Sequence, residues 1–235
     1  MESVNLETIG VIHSPFKEKF SIPRQPGLVT EASMQLELNP PFNHPDYIRD
    51  IAQYSHLWIL FLFHNHLDRT HAPLVRPPRL GGNQKIGVFA TRSSFRPNNI
   101  GMSVVPLNKV LIENGQTILH LGIADLLDQT PVIDIKPYIP YSDSIADAHG
   151  GMAKLAPETR IKVEFTQQAE QFLQQVNSTY PRLKQFIIQV LAQDPRPAYK
   201  RNKADQKTYG VKLYEFDITW RIEEQIIRVE NILYA

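Results

Sequence analysis

The chain of 235 residues contains no cysteine, which excludes disulfide scaffolds, zinc ribbons, iron–sulfur clusters and thiol catalysis. It also lacks an excess of charge of either sign, since 25 Lys and Arg residues balance 24 Asp and Glu residues to a formal charge of +1. Any basic surface must therefore be local. The longest apolar run, residues 57–63, is far shorter than the roughly 20 residues that span a bilayer, and no secretory signal is visible. We expect a soluble, cytoplasmic protein with no membrane partner.

Several nucleotide and catalytic motifs are absent as well. The sequence has no glycine-rich Rossmann loop, no P-loop and no G-x-S-x-G elbow. A nucleotide-type cofactor, if one is used, is therefore not held by a Rossmann glycine loop.

Short apolar runs separated by turn residues fill the chain through about residue 145, as in "HLWILFLFHN" and "TILHLGIADLL". Few helical patterns lie between them, so we predict an antiparallel sheet closed or half-closed into a single β-barrel. One short helix is predicted within residues 43–54, with Asn43 or Asp46 near its start. The run "KIGVFATR" is predicted as a further strand.

The strand pattern ends in residues 142–158, which are typical of a linker. Beyond them we predict a strand at "IKVEF", a helix capped by Thr166, a second helix with Pro181 at its first position, and a hairpin around Glu223 and Glu224. The fold class is therefore mainly β, with a β-barrel domain at residues 1–145 and a smaller α+β domain at residues 158–235.

The segment "TRSSFRPNN", residues 91–99, joins two strand-like runs and is richer in functional groups than a turn requires. Arg92 and Arg96 would form an anion site, because guanidinium groups bind carboxylates and phosphates in a bidentate way. Gly101 would let the backbone approach a ligand closely. The alternative is a solvated loop whose arginines pair with nearby acids.

A second candidate is "VIDIKPY", in which Asp134, Lys136 and Tyr138 share one face of a strand. A carboxylate, an ammonium group and a phenol together would support a proton transfer. The alternative is a surface ion pair between Asp134 and Lys136.

Histidines cluster in "FHNHLDRTH", where His64, His66, Asp68 and His71 come close to the H-x-H-x-D-H motif of the metallo-β-lactamase superfamily. Arg69 occupies the place of the third histidine of that motif. The same alternation serves a polar pocket as well as a metal site.

Residues 195–210 carry five basic side chains and one acidic side chain, and the same segment contains Tyr199 and Tyr209. A basic loop with interleaved aromatic rings is typical of an RNA contact. The alternative is a solvated, charged surface.

Two long blocks, "GVFATRSSFRPNNIGMS" and "TPVIDIKPYIPYSD", closely resemble the signature blocks of the TsaA-like family, also called YaeB or TrmO. The segments "DPRPAYKRN" and "YGVKLYEFDITW" resemble the tail of its full-length bacterial members. The resemblance implies an S-adenosylmethionine-dependent tRNA methyltransferase that is built on a β-barrel and works as a homodimer. Its substrate would be the threonylcarbamoyl-adenosine beside the anticodon, notably of a threonine tRNA, methylated on the exocyclic nitrogen of the adenine.

The resemblance also implies the cofactor contacts, which are Gln25, Pro26, Gly27, His64, Asn65, Arg92, Met102, Asp125 and Leu126. It recasts His64 as a cofactor-pocket residue, so no metal is expected. The chain departs from the family pattern at Ser94-Phe95 and Asn98-Asn99, where prolines are expected, and at Gln129, where the family usually has Gly.

The catalytic roles come from the shared strand face and not from the family. We expect Asp134 and Tyr138 to accept the proton or a hydrogen bond, and Lys136 to stabilise charge on the carbamoyl oxygen. We place RNA binding on Arg196, Tyr199, Lys200, Arg201 and Lys203. The alternatives are a non-catalytic RNA-binding barrel and a metal hydrolase that uses His64, His66 and His71.

Overall fold

The computed structural model describes residues 4–23, 25–68, 70–154, 161–196 and 205–235, without the side chains of residues 205 and 206. The first part of the chain forms strands β1 (Gly10–His13), β2 (Ser33–Leu38), β3 (His56–Leu62), β4 (Leu74–Val75), β5 (Ile86–Gly87), β6 (Ile100–Glu113), β7 (Gln116–Gly122) and β8 (Thr130–Pro137). A closed antiparallel barrel runs in the order β1-β2-β7-β6-β3-β8, and β4 pairs with β5 alone. The predicted β-barrel is confirmed.

Short 3-10 helices lie between these strands, at Lys19–Ser21, Pro45–Ile48, Ile51–Gln53, His64–His66, Pro78–Leu80, Val88–Ala90 and Pro97–Asn99, and a further one follows β8 at Gly151–Ala153. The single helix predicted within 43–54 is wrong, because Asp50 has a φ of 65° and separates two 3-10 turns. The first of these is capped by His44, whose Nδ1 accepts from the Asp46 backbone N–H at 3.3 Å. The strand predicted from "KIGVFATR" is also shorter than expected, since it turns at Val88 after two paired residues.

Every second side chain of the barrel strands points inward, and these side chains fill the barrel. On β3 the inward side chains of Leu57, Ile59 and Phe61 are buried, while Trp58 and Leu60 between them face outward and are half-buried. Inward residues of the neighbouring strands complete this core, among them Leu36, Val105, Leu119, Leu121 and Val132. An antiparallel sheet with one buried face gives this period of two.

The rest of the chain forms helices α1 (Pro140–Asp143), α2 (Gln167–Val176) and α3 (Leu183–Leu191), and strands β9 (Lys162–Phe165), β10 (Asp205–Leu213), β11 (Phe216–Glu223) and β12 (Ile226–Tyr234). The sheet order is β10-β11-β12-β9. We refer to residues 161–235 as the C-terminal unit. Thr166 caps α2 as predicted, its hydroxyl accepting from the Ala169 N–H. The predicted hairpin is present as β11 and β12, whereas α3 begins two residues after Pro181.

Both parts of the chain contribute to the second hydrophobic core. Phe16, Val29 and Ile123 come from the first 145 residues, and they pack with α2, α3 and the C-terminal sheet. The ring of Phe16 lies 5.6 Å from that of Phe186. The barrel and the C-terminal unit are therefore joined by a continuous apolar contact.

Polar contacts join helix α3 to the segment that precedes β2. Gln189 Oε1 accepts hydrogen bonds from the backbone N–H groups of Thr30 (2.7 Å) and Glu31 (3.1 Å). Gln193 Nε2 donates to the Leu28 carbonyl at 3.4 Å. The position of residues 28–31 is thus fixed by the C-terminal unit.

Two departures from the family pattern have a backbone explanation. Gln129 has a φ of 61°, in the left-handed region that glycine adopts most easily. Asn99 has a φ of 49°, which a proline ring cannot reach, whereas asparagine tolerates it. The connection before β6 therefore takes a local course that suits asparagine.

Gly101, in β6, lies against two rings of β3. A Cβ atom added there would come within 2.5 Å of Phe61 Cε2 and 2.9 Å of Phe63 Cζ. We expect Gly101→Ala to lower the free energy of unfolding by about 1–3 kcal/mol, the usual cost of overpacking. Urea denaturation would measure it. Gly87→Ala is the matched control, because nothing lies within 4 Å of its Cβ position; equal losses in both variants would contradict the explanation.

Candidate active site

The loop of residues 87–99, which we call the arginine loop, is held by its own hydroxyl groups. Thr91 Oγ1 donates to the Val88 carbonyl at 2.8 Å and accepts from the Ser93 N–H at 3.1 Å. The Ser93 hydroxyl accepts from the Phe95 N–H at 3.2 Å. Arg96 Nη1 donates to the Thr91 carbonyl at 3.0 Å. Arg96 thus stabilises the loop from within, and the anion site predicted from Arg92 and Arg96 stays a prediction.

Arg92 has a different role, because its side chain leaves the loop. Its Nη1 donates to Gln25 Oε1 at 2.7 Å, although 67 residues separate the two. Asp125, just after β7, accepts a hydrogen bond from the Ser103 hydroxyl at 2.6 Å. Burial raises the pKa of Asp125, and the hydrogen bond from Ser103 and the charge of Arg92 act against that increase. A guanidinium and a carboxylate of perturbed pKa therefore converge from distant loops.

A cleft of about 750 Å³ lies between the barrel and the C-terminal unit, and Gln25 directly precedes two of the residues that line it. We call it the central cleft. Its barrel side includes Pro26 and Gly27, together with His56, Val104 and Pro106. Gly27 has a φ of 79° and nothing within 4 Å of its Cβ position, so its backbone faces open space. Volume and shape are within the range of sites for small molecules and cofactors.

The outer face of the barrel connects this cleft with the candidate catalytic residues. Met102 pairs with Leu60, and Leu60 pairs with Asp134, so the three lie in one row across β6, β3 and β8. Paired residues in a sheet point to the same face. Met102 is 54% exposed, and Val104 two residues further along the same face lines the central cleft.

Asp134 and Lys136 form the surface ion pair that was the alternative interpretation of the sequence, with Lys136 Nζ 2.7 Å from Asp134 Oδ2. The other oxygen of Asp134 accepts from the Ile135 N–H at 2.9 Å. Tyr138 packs on Trp58 (5.9 Å between centroids) and on His56 (6.3 Å). Tyr138 therefore contacts His56, which lines the central cleft.

The two histidines that directly follow β3, His64 and His66, have different environments. His64 is half-buried, and burial lowers its pKa, while a hydrogen bond with the Leu62 backbone acts the other way. Asn65 is exposed. His66 is buried, stacks on Phe95 (4.6 Å) and has its Nε2 3.2 Å from Lys19 Nζ. Within the described residues, no group of three His, Asp or Glu side chains is placed to hold a metal ion.

Two predicted contacts have buried side chains. Leu126 is 1% exposed and packs in the barrel core, so only its backbone would face a ligand. Arg196 is 2% exposed, and its Nε and Nη2 donate to the two oxygens of Asp194 at 2.8 and 2.9 Å. This placement gives no support to an RNA contact by Arg196. The other predicted RNA contacts, Tyr199, Lys200, Arg201 and Lys203, lie outside the described residues.

Sequence reasoning missed the wall of the central cleft that the C-terminal unit supplies. Tyr180, Arg182 and Tyr214 line it, as do Thr179 and Phe186. These residues follow no recognisable motif, and only the shared core brings them opposite Gly27.

Comparison with known proteins agrees with this architecture. The model of the tRNA-methyltransferase O N-terminal domain matches residues 11–144, and that of the TrmO C-terminal domain matches residues 158–235. The chain is 51% identical over 224 residues to a tRNA (adenine(37)-N6)-methyltransferase of Escherichia coli strain K12, covering 95% of each chain. It is 47% identical over 233 residues, 97% of each, to RcsF of Pseudomonas aeruginosa, which is named as an S-adenosylmethionine-dependent methyltransferase.

A solved structure shows the same fold along the whole length. The crystal structure of TrmO from Pseudomonas aeruginosa superposes with a TM-score of 0.81 at 40% identity, covering 99% of both chains. Family models thus cover both the barrel and the C-terminal unit, and full-length relatives align from end to end. The chain belongs to the tRNA-methyltransferase O family.

Proposed function

We propose that this protein methylates the exocyclic nitrogen of an adenine beside the anticodon of tRNA, with S-adenosylmethionine as the methyl donor. Threonylcarbamoyl-adenosine is the proposed target, and threonine tRNA the proposed carrier. The observation that carries the proposal is the convergence of Arg92 with Gln25 and Asp125, since Gln25 directly precedes Pro26 and Gly27, which line the central cleft. The tRNA methyltransferase and the S-adenosylmethionine-dependent enzyme among the relatives support it.

The residues fit the cofactor by charge. The methionine part of S-adenosylmethionine carries a carboxylate and an ammonium group, which suit the Arg92 guanidinium and the Asp125 carboxylate respectively. Gly27 exposes its backbone to the cleft and would let the adenosine part approach closely. Met102 supplies an exposed apolar contact on the same side.

When bound, S-adenosylmethionine would supply the methyl group, and its positively charged sulfur would be the leaving group that the adenine nitrogen displaces in line. The protein therefore contributes mainly position and electrostatics. The nitrogen must also lose its proton, and its lone pair is delocalised into the ring and the carbamoyl group. Asp134 is the proposed acceptor for that proton, with Tyr138 as hydrogen-bond partner and Lys136 stabilising charge on the carbamoyl oxygen.

The tRNA would reach the site across the C-terminal unit, where the basic segment 197–203 follows the Asp194–Arg196 ion pair. The cytoplasm is the proposed location, because tRNA is modified there. The described part of the chain has no helix long and apolar enough to cross a membrane.

Methyl transfer is the direct test of this function. Purified protein is incubated with labelled S-adenosylmethionine and with tRNA that either carries or lacks the threonylcarbamoyl group. Label should appear in the tRNA that carries it. Binding of both ligands with no transfer would instead favour the alternative, a recognition-only barrel.

Asp125 gives a pH-dependent prediction. The carboxyl must be ionised to pair with the ammonium group, and burial raises its pKa above the ordinary value of 3.8. As the pH is lowered, the affinity for S-adenosylmethionine should therefore begin to fall at a higher pH than it would if the pKa of this carboxyl had its ordinary value. Asp125→Asn should bind about 10- to 100-fold more weakly at neutral pH, as for a lost charged hydrogen bond, and should lose this pH dependence. Calorimetry from pH 8 downward measures both.

Ser103→Ala is the matched variant for that experiment. The Ser103 hydroxyl stabilises the ionised form of Asp125, so its removal should move the acidic midpoint to higher pH and leave the neutral-pH affinity nearly unchanged. Identical profiles for wild type and Asp125→Asn would show that Asp125 does not hold the cofactor.

Asp134→Asn tests the proposed proton acceptor. We expect the rate of methyl transfer to fall about 10²- to 10⁴-fold with cofactor affinity unchanged, as is usual when a catalytic base is lost. The matched control is Glu164→Gln, because Glu164 and Lys162 form the same i, i+2 ion pair on β9 (2.8 Å), away from the cleft. Full activity of Asp134→Asn under single-turnover conditions would exclude this role.

We propose that the protein is a homodimer whose interface covers exposed apolar side chains near the arginine loop. Phe89 is 77% exposed, and Leu67 and Leu74 are each 52% exposed. Phe89→Ser should shift the protein towards monomer in sedimentation equilibrium. Ile112→Ser is the control, since Ile112 is 50% exposed but lies about 30 Å from Met102 along β6 at ~3.3 Å per residue. A monomeric wild type at micromolar concentration would refute the proposal.

A further inference from the structure

The wall of the central cleft that the C-terminal unit supplies is not used by the cofactor contacts proposed above. Among the described residues that line this cleft, Arg182 is the one guanidinium and Glu31 the one carboxylate. Arg182 is exposed and makes no ion pair with another described residue. An unpaired cation in a cleft of this size is suited to an anionic group of a ligand.

Two aromatic rings stand beside Arg182 in the same wall. Tyr180 and Tyr214 have ring centroids 5.2 Å apart, and each also packs on a phenylalanine, Tyr180 on Phe216 (5.1 Å) and Tyr214 on Phe186 (5.7 Å). The Tyr180 hydroxyl donates to Glu215, which raises the pKa of Tyr180 to about 12. Tyr180 therefore stays neutral, and the wall consists of fixed aromatic rings and one cation.

We infer that the central cleft binds the target nucleotide of the tRNA, and that Arg182 holds an anionic group of that nucleotide. The inference rests on the proposed function, since it takes the ligand to be RNA. Rings that stack on a base, next to a guanidinium, are how proteins bind unpaired nucleotides. Gly27 lies across the same cleft, so a nucleotide in contact with Arg182 shares the cleft with the proposed cofactor segment.

Glu31 restricts the orientation of this nucleotide. Its backbone is fixed by Gln189, and Glu31 lines the cleft from the segment that precedes β2, so its negative charge would disfavour an anion on that side. The anionic group must therefore lie on the side of Arg182. It is either a carboxylate carried by the modified adenine or a phosphate that flanks it, and both present oxygen atoms to a guanidinium.

The experiment measures binding of two anticodon stem-loops, one with adenosine and one with threonylcarbamoyl-adenosine, by fluorescence anisotropy at several salt concentrations. The proteins are wild type, Arg182→Gln, Arg182→Lys and the control Arg228→Gln, which changes an exposed arginine of the same unit outside the cleft. Because binding is measured without methyl transfer, the result does not depend on catalysis, and failure of the proposed function would appear separately in the methylation assay.

If Arg182 binds the carboxylate, wild type should prefer the modified stem-loop by about 10- to 100-fold, and Arg182→Gln should lose that preference. Arg182→Lys should keep part of it and Arg228→Gln all of it. If Arg182 binds a phosphate, Arg182→Gln should weaken both stem-loops equally and reduce the salt slope by about 0.7. Wild-type affinity of Arg182→Gln for both stem-loops would overturn the inference.

Discussion

The packing of Phe16 into the second hydrophobic core is the contact on which the site depends. Phe16 follows β1 of the barrel, yet it lies against Phe186 of α3 and forms an isolated bridge with Leu213. The backbone continues this junction, since the Tyr214 N–H donates to the Pro15 carbonyl and the Asp128 N–H donates to the Phe16 carbonyl. Buried apolar contacts of this kind allow little displacement. The two walls of the central cleft are therefore joined by a packed contact in which Phe186 and Tyr214, which line the cleft, are anchored to the segment around Phe16.

The barrel could be predicted from the sequence because one-sided burial gives strands a period of two. Leu57, Ile59 and Phe61 show it plainly. The prediction failed where local pattern and tertiary pairing disagree, as in "KIGVFATR", whose strand ends once Val88 turns inward and Phe89 becomes exposed. The run of basic residues after Pro195 likewise predicted that Arg196 contacts RNA, whereas its side chain is buried. Spacing alone does not show that an arginine folds back on an aspartate two residues earlier.

The candidate site was predictable only in part, for a topological reason. Arg92, Gln25 and Asp125 come from three connections that no sequence period relates, and closure of the barrel brings them together. These residues were predicted from the resemblance to a family. The structure explains the prediction, because it places the Arg92 guanidinium near the partly buried Asp125 carboxylate. The second wall, with Tyr180 and Tyr214, had no signal in the sequence, because its residues are partly buried aromatics that pack against the hydrophobic core.

The hydrogen bonds from α3 to residues 28–31 have a thermodynamic consequence. Gln189 and Gln193 connect the helix behind the aromatic wall to the chain that carries Gly27. Because these hydrogen bonds join the two elements, a ligand that displaced one of them would also act on the other. By linkage, any factor by which cofactor raises the affinity for RNA must equal the factor by which RNA raises the affinity for cofactor. If cofactor binds at Gly27 and RNA at the aromatic wall, as proposed, the α3 contact is a route by which each ligand would change the affinity for the other.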